Sequence, residues 1–158
     1  MLPAMILEQI RDIKQHLPTG RRLMGVDPGT KTLGLALSDL TLTIATPLIT
    51  LKRTKLSKDV VELERLFREH EVGGLVLGLP VSMDGTEGPR CQSVRHLADS
   101  LNERFDLPIG FWDERLSTAA VERILVNEAD LTRKKRAKVV DRAAAAYILQ
   151  GVLDALAY

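Results

Sequence analysis

Arg22-Leu-Met-Gly-Val-Asp-Pro28, Gly29-Thr-Lys31 and Thr32-Leu-Gly-Leu-Ala-Leu-Ser-Asp39 form the stretch from which the fold is read. The first segment is a short apolar run closing at an acid, and the last is a second apolar stretch ending in Ser38-Asp39, with Gly29 at the turn between them. Two antiparallel strands joined by a tight loop fit this pattern. Leu42 to Leu51, rich in β-branched residues, reads as a third strand, which Pro47 assigns to a sheet edge or a bulge. A β-meander therefore opens the sheet.

Upstream, Ile6, Ile10, Ile13 and Leu17 recur at helical spacing with polar residues between them, which predicts an amphipathic helix from Pro3 to Leu17, ended by Pro18, Thr19 and Gly20. Downstream the pattern alternates. Ser57 is a candidate N-cap for a helix whose apolar face is Val60, Val61, Leu63, Leu66 and Phe67, stopping near Val72-Gly73-Gly74. Leu75 to Leu79 is a continuous apolar run, as in a strand covered on both faces. A turn-rich loop from Val81 to Pro89 leads to a helix through Val94, Leu97, Ala98 and Leu101, and Ile109 to Asp113 gives another short strand. A helix capped by Ser117 and carrying Val121, Ile124, Leu125 and Ala129 precedes a terminal Ala-rich helix from Val139 to Leu156. The elements predict an α/β fold, a five-stranded mixed sheet with helices on both faces, preceded by an extra helix.

At 158 residues, 45% hydrophobic and 27% charged, the chain has the composition of one globular domain, not a disordered or fibrous one. The single Cys91 cannot form an internal disulfide, which fits a reducing compartment, and no apolar run is long enough to span a bilayer, so a cytoplasmic protein is expected. The net charge of +1 hides an asymmetry: Arg133, Lys134, Lys135, Arg136 and Lys138 lie within six residues. Without those five, 17 basic residues face 21 acidic ones, so one short segment could attract phosphates while the remainder would repel them. A solvated loop or a frayed helix end is the structural alternative for that run.

Three acidic positions could carry chemistry. Asp27 ends the first strand, where burial is costly unless the carboxylate is hydrogen-bonded or holds a metal; an Asp bonding its own turn is the alternative. Asp113-Glu114 ends the last strand, with Arg115 as a neutralising neighbour. Strand alternation puts Asp113 on the face of Phe111 and Glu114 on that of Trp112, so only one of the two can face a given site. Asp141 reads as a residue of the first turn of the terminal helix, where the helix dipole favours an acid. The small Ala143, Ala144 and Ala145 would let that helix lie close to the sheet and bring Asp141 toward the strand ends. Such a carboxylate cluster suits one or two Mg²⁺ ions, or Mn²⁺ in their place. The loop from Gly78 to Arg90 follows a buried parallel strand, where open α/β sheets bind ligands, and offers Ser82, Thr86 and Arg90 as phosphate donors. Lys31, Arg115 and the basic segment complete the candidate backbone-binding set.

The element order is shared by ribonuclease H-like domains and by each half of actin-like ATPases. The motifs Gly25-Val-Asp-Pro-Gly-Thr-Lys31, Gly78-Leu-Pro80, Met83-Asp-Gly-Thr-Glu-Gly-Pro89, Trp112-Asp-Glu-Arg-Leu-Ser-Thr118 and Val140-Asp-Arg-Ala-Ala-Ala145 resemble the bacterial YqgF/RuvX family from about Leu23 to Leu153. The resemblance implies a ribonuclease H-like fold, a metal site of Asp27, Glu114 or Asp113, and Asp141, and hydrolysis of structured RNA or branched DNA: the 5′ end of pre-16S rRNA, in a ribosomal precursor particle, or a Holliday-type junction. By the same analogy Glu114 is placed ahead of Asp113. The chain departs from the family in having Thr32 where Arg commonly follows the lysine. It departs from the junction resolvases in carrying Lys138 where a fourth acid stands. The domain division implied is a helical extension at 1–20 and a nuclease domain at 21–158. A non-catalytic nucleic-acid-binding maturation factor and an actin-like ATPase half-domain are the alternatives from other classes.

Overall fold

The computed structural model describes residues 6–116 and 133–157, with side chains for all of these except 116 and 133–141. Five strands form one sheet in the order β3-β2-β1-β4-β5, with β1 at Arg22–Pro28, β2 at Thr32–Ser38, β3 at Ala45–Lys52, β4 at Val72–Leu79 and β5 at Ile109–Asp113. The meander is antiparallel, pairing Asp27 with Gly34 and Ala36 with Pro47, whereas β1–β4 and β4–β5 are parallel. Pro47 lies on the edge strand beside a register shift, where its missing N–H breaks no interior ladder.

Helices α2 (Leu56–Glu69) and α3 (Pro89–Arg104) cover one face and α4 (Arg133–Leu156) covers the other. Leu63, Leu66 and Phe67 of α2, with Val94, Leu97 and Leu101 of α3, pack against Met24, Val26, Leu75 and Leu77. On the opposite face Ala145, Ile148, Leu149 and Val152 of α4 pack against Leu23, Ala36 and Val76. Among the described residues no helix is long and apolar enough to cross a membrane.

Four details differ from the sequence reading. Among the described residues the N-terminal segment is helical only over Ile10–Asp12, as a 3₁₀ turn, and α1 (Ile13–His16). Ile6 instead bridges in parallel to Ile109 and Leu7 N–H donates to the Ile109 carbonyl at 2.8 Å, because the exposed edge of β5 offers ladder partners that a helix would leave unpaired. Ser57 does not cap α2: the helix starts at Leu56, and Asp59 reaches back to accept from the Thr54 N–H and hydroxyl. Gly73 and Gly74 lie inside β4, where Arg21, Leu17 and Leu23 occupy the space a side chain would need. The terminal helix starts at Arg133 and not at Val139, so the basic run forms the first turns of α4, consistent with the good helix propensity of Arg and Lys. The helix expected from Ser117 lies outside the described residues.

Candidate active site

Glycines let helix α4 approach the sheet. A Cβ on Gly25 would lie 2.7 Å from the Ala145 carbonyl oxygen and 2.8 Å from the Leu149 Cβ, so only glycine lets α4 cross β1 this closely. Leu23 packs on the same side, and alternation then turns Asp27, two residues beyond Gly25, toward the α4 face. Gln150 donates to the Thr43 carbonyl and accepts from Ala45 N–H, and Ala45 pairs with Ser38 beside the beginning of β1. Helix α4 therefore runs antiparallel to β1, with its earlier residues toward the end of the strand that carries Asp27.

Asp141 lies one turn before Ala145, about 6 Å along the helix, and Asp27 lies two strand residues beyond Gly25, about 6.6 Å along β1. The two backbone positions are thus level with each other; the Asp141 side chain is outside those described. Eight residues into α4, Asp141 is not in the first turn, because the helix begins with the basic run, at Arg133, and not after it. The helix dipole, which acts within the first turn, does not account for an acid there.

Glu114 follows β5 in a 3₁₀ turn, Glu114–Leu116, and folds back over β4. Its Oε1 is 2.5 Å from where a Cβ on Gly78 would stand. Trp112 lies on the same side, against Gly151 of α4. Asp27 on β1 and the Glu114 carboxylate over β4 therefore share the α4 face at the ends of adjacent parallel strands. Asp113 points the other way, with Phe111, over whose ring Arg95 stacks at 4.9 Å. Its carboxylate is closed into a bidentate pair with Arg115, Nε at 2.9 Å and Nη2 at 2.5 Å, and this hydrogen bonding lowers its pKa.

That pairing redefines Arg115. Besides Asp113, its Nη1 reaches the carbonyl oxygens of Ser82 and Met83, each at 3.4 Å, so it ties the 81–88 loop to the end of β5. In that loop Ser82 N–H donates to Thr86 O and Thr86 donates its hydroxyl to Asp84 at 2.6 Å, which leaves Thr86 no proton for a phosphate. Lys31 is exposed at the β1–β2 turn, and Arg90 is exposed in the first turn of α3. Arg133, Lys134, Lys135, Arg136 and Lys138 begin α4; their side chains are outside those described.

Sequence reasoning put Gly78 at the head of the phosphate loop, whereas it lies inside β4 under Glu114, and it passed over Arg53. The signal for Gly78 was a glycine inside the buried run Leu75 to Leu79, which marks a close approach. Arg53 had no local signal, since its role arises only where its Nη1 donates to the Gly29 carbonyl at 2.6 Å and braces the turn after Asp27.

All-oxygen donors suit a hard cation such as Mg²⁺, and the missing side chain at Gly78 makes the room in which the Glu114 carboxylate lies over the strand; on both grounds the residues present fit a divalent ion. Among the described residues no three His, Cys, Asp or Glu side chains group together, and the third acid, Asp141, is not among the described side chains.

The profile of the RuvX family, described as Holliday junction resolvase, matches residues 21–155. A Rhodospirillum rubrum protein named "Putative pre-16S rRNA nuclease" is 63% identical over 140 residues, covering 89% of this chain and 87% of its own. One of the same name from Roseobacter denitrificans is 57% identical over 152 residues, covering 95% and 93%. Among solved structures, Thermus thermophilus RuvC in complex with a Holliday junction substrate superposes with a TM-score of 0.54 at 13% identity, covering 85% of this chain and 94% of that one. At that identity the likeness concerns the fold, which is the ribonuclease H-like fold of the resolvases.

Proposed function

Because the chain belongs to the RuvX family, described as Holliday junction resolvase, we propose that it is a metal-dependent nuclease that hydrolyses phosphodiester bonds in structured nucleic acid. The observation that carries this reading is the placement of the Asp27 and Glu114 carboxylates on one face of the sheet at neighbouring strand ends, beneath the helix that bears Asp141. Asp27, Glu114 and Asp141 would hold Mg²⁺ or Mn²⁺, which when bound supplies charge stabilisation at the phosphoryl oxygens and a more acidic water. Glu114 is preferred to Asp113 because Asp113 faces away and is paired with Arg115.

The chain's own groups do the positioning. Gly25 lets α4 pack directly on β1, and Gly78 leaves room for the Glu114 side chain to lie over β4, so both glycines bring the acid-bearing elements close to the sheet. Arg115 holds the 81–88 loop beside the site. Lys31 and the cations of α4 attract the sugar-phosphate backbone, which gives affinity with little sequence information and suits recognition of shape. Precursor 16S rRNA, cut at its 5′ end within a precursor particle, is placed ahead of branched DNA, since the relatives at 63% and 57% identity carry that name and the junction-bound structure shares only 13%.

The test is a cleavage assay with Mg²⁺ and with Mn²⁺ on a stem-loop spanning the 5′ end of pre-16S rRNA and on a four-way DNA junction. Asp27→Asn, Glu114→Gln and Asp141→Asn should each abolish cleavage, on the order of a hundredfold or more, with folding preserved. Cleavage by all three variants at the wild-type rate would refute the site; binding without cleavage by the wild type would favour a non-catalytic maturation factor.

A further inference from the structure

On the opposite side of the β1–β2 turn from the carboxylates, a cavity of about 420 Å³ opens between that turn and α3. Its polar lining is Thr30, Arg53, Thr54, Arg90 and Ser93, drawn from three separate parts of the chain. Arg65, Arg68, Arg95 and Arg115 all pair with carboxylates. Arg53 and Arg90 have no such partner among the described residues. Arg53 is half-buried and is aimed by its bond to the Gly29 carbonyl, which uses one of its five N–H groups. The nearby acids are already engaged: Asp59 accepts from the Thr54 N–H and hydroxyl, and Glu87 is held by Arg95 at 2.7 and 2.8 Å.

Two guanidinium groups without carboxylate partners, converging with hydroxyls on one concave site, make a receptor for a tetrahedral oxyanion, since arginine's fork matches phosphate. The position gives it meaning. Thr30 is three residues from Asp27, at most about 10 Å along the chain, or roughly three nucleotide rises at 3.4 Å each along one strand. A second cavity, about 710 Å³, shares Arg53, Ser93 and Leu97 with the first and continues along α3 past Gln92 and His96. Together they form a groove leading away from the turn that follows Asp27.

We propose that the cavity between the β1–β2 turn and α3 binds a non-scissile backbone phosphate of the nucleic-acid substrate, within a few nucleotides of the bond cut at Asp27 and Glu114. This rests on the nuclease reading, and names a second point at which the substrate strand is fixed. A strand so held crosses the end of the sheet, with the cut phosphate on the α4 side and the anchored one on the α3 side.

The experiment uses the full chain in EDTA, so that binding is read without cleavage, with a labelled four-way junction and a labelled RNA stem-loop. In each, single phosphates are replaced in turn by uncharged methylphosphonate. Wild type should lose roughly tenfold in affinity at one position flanking the cut. In Arg90→Ala and Ser93→Glu, both exposed positions, that same replacement should have no further effect, and the salt slope should fall by about 0.9 on duplex or about 0.7 on single strand. A parallel titration with inorganic phosphate against chloride at equal ionic strength separates the sources. If phosphate binds the wild type while both variants bind nucleic acid with unchanged affinity and slope, the cavity takes the free anion and the strand assignment is overturned. If the wild type cuts and the variants show the wild-type methylphosphonate profile, the proposal is likewise wrong. Failure of the nuclease reading would look different: no cleavage with either metal, but a position-specific methylphosphonate effect that the variants abolish.

Discussion

Glycine at 78 is the residue on which the active-site geometry turns. An alanine there would bring its Cβ to 2.5 Å from both Glu114 Oε1 and Ile148 Cδ1. Overpacking of this kind costs typically about 1–3 kcal/mol, and Gly78→Ala should lower the thermal midpoint accordingly. It should also reduce kcat on the order of tenfold or more, as loss of a positioned charge does, because the carboxylate must move. Adding Ile148→Val removes the Ile148 clash and leaves those with Glu114; the double variant should regain part of the stability without regaining cleavage. Recovery of both together would mean that Glu114 has no part in the reaction. Asp39 illustrates a carboxylate whose role is structural. It accepts from Thr41, from Thr43 N–H at 2.7 Å and from Ile44 N–H at 3.0 Å, and the Thr41 hydroxyl foremost brings its pKa down from 3.8 to about 2. Because the folded value lies below the unfolded one, the stabilisation is complete above about pH 4 and is lost as pH falls toward 2. Asp39→Asn should therefore melt below wild type at pH 7 and together with it near pH 2; a gap that persists at pH 2 would assign the difference to something other than ionisation.

Helix α4 shows how much of an element can be legible while its beginning is not. Ala143 to Ala145 announced a close approach to the sheet, and the Ala145 carbonyl does lie over Gly25. Strand ends at Asp27 and Asp113 were likewise readable, because an apolar run that stops at an acid marks both the period and its end. The start of α4 was not readable, since a run of like charges looks the same in sequence whether solvated in a loop or on a helix. Nor could the sequence choose between Asp113 and Glu114: the choice depends on a 3₁₀ turn that folds Glu114 back over a glycine in another strand. The helical start changes what the cations do. From Arg133 to Ala145 the helix rises about 18 Å, while β1 continues only about 10 Å beyond Gly25 to Pro28. The basic turns therefore project past the strand ends, on the side of Asp27. Replacing Lys134, Lys135 and Arg136 together by Gln should weaken binding across sequences and lower the salt slope by about 0.9 per lost phosphate contact on duplex, or about 0.7 on single strands. The thermal midpoint should hardly move, Gln being nearly as good a helix former. An unchanged slope on both RNA and junction DNA would leave the run with no part in binding.

At the scale of the whole molecule, the question is whether residues before β1 belong to the same folding unit as the sheet. The family profile begins at residue 21, so family membership is silent on this point and packing must decide. Ile13 is 0% exposed and sits in the α4-side core with Leu23, Ile148 and Val152. Ile10 fills the space over Gly110, and Leu7 continues the hydrogen bonding of the β5 edge. An appendage tethered by a linker would bury nothing of this kind, whereas here the segment closes both an open sheet edge and one end of the core. Burial on this scale sets an expected cost: Ile13→Ala should destabilise by about 3 kcal/mol, within the range for large-to-small core changes, and at roughly 2–4 °C per kcal/mol lower Tm by about 6–12 °C. Unfolding should remain a single transition, because the segment has too few residues to form a core of its own. Deleting residues 1–16 should cost more than the point change, since it also exposes the β5 edge, whose unpaired groups invite intermolecular pairing and aggregation. The contrary result is equally definite: a deletion variant that stays monomeric and melts within about 2 °C of wild type, less than the shift from 1 kcal/mol at the upper end of that scale, would make the segment an addition that the sheet does not need.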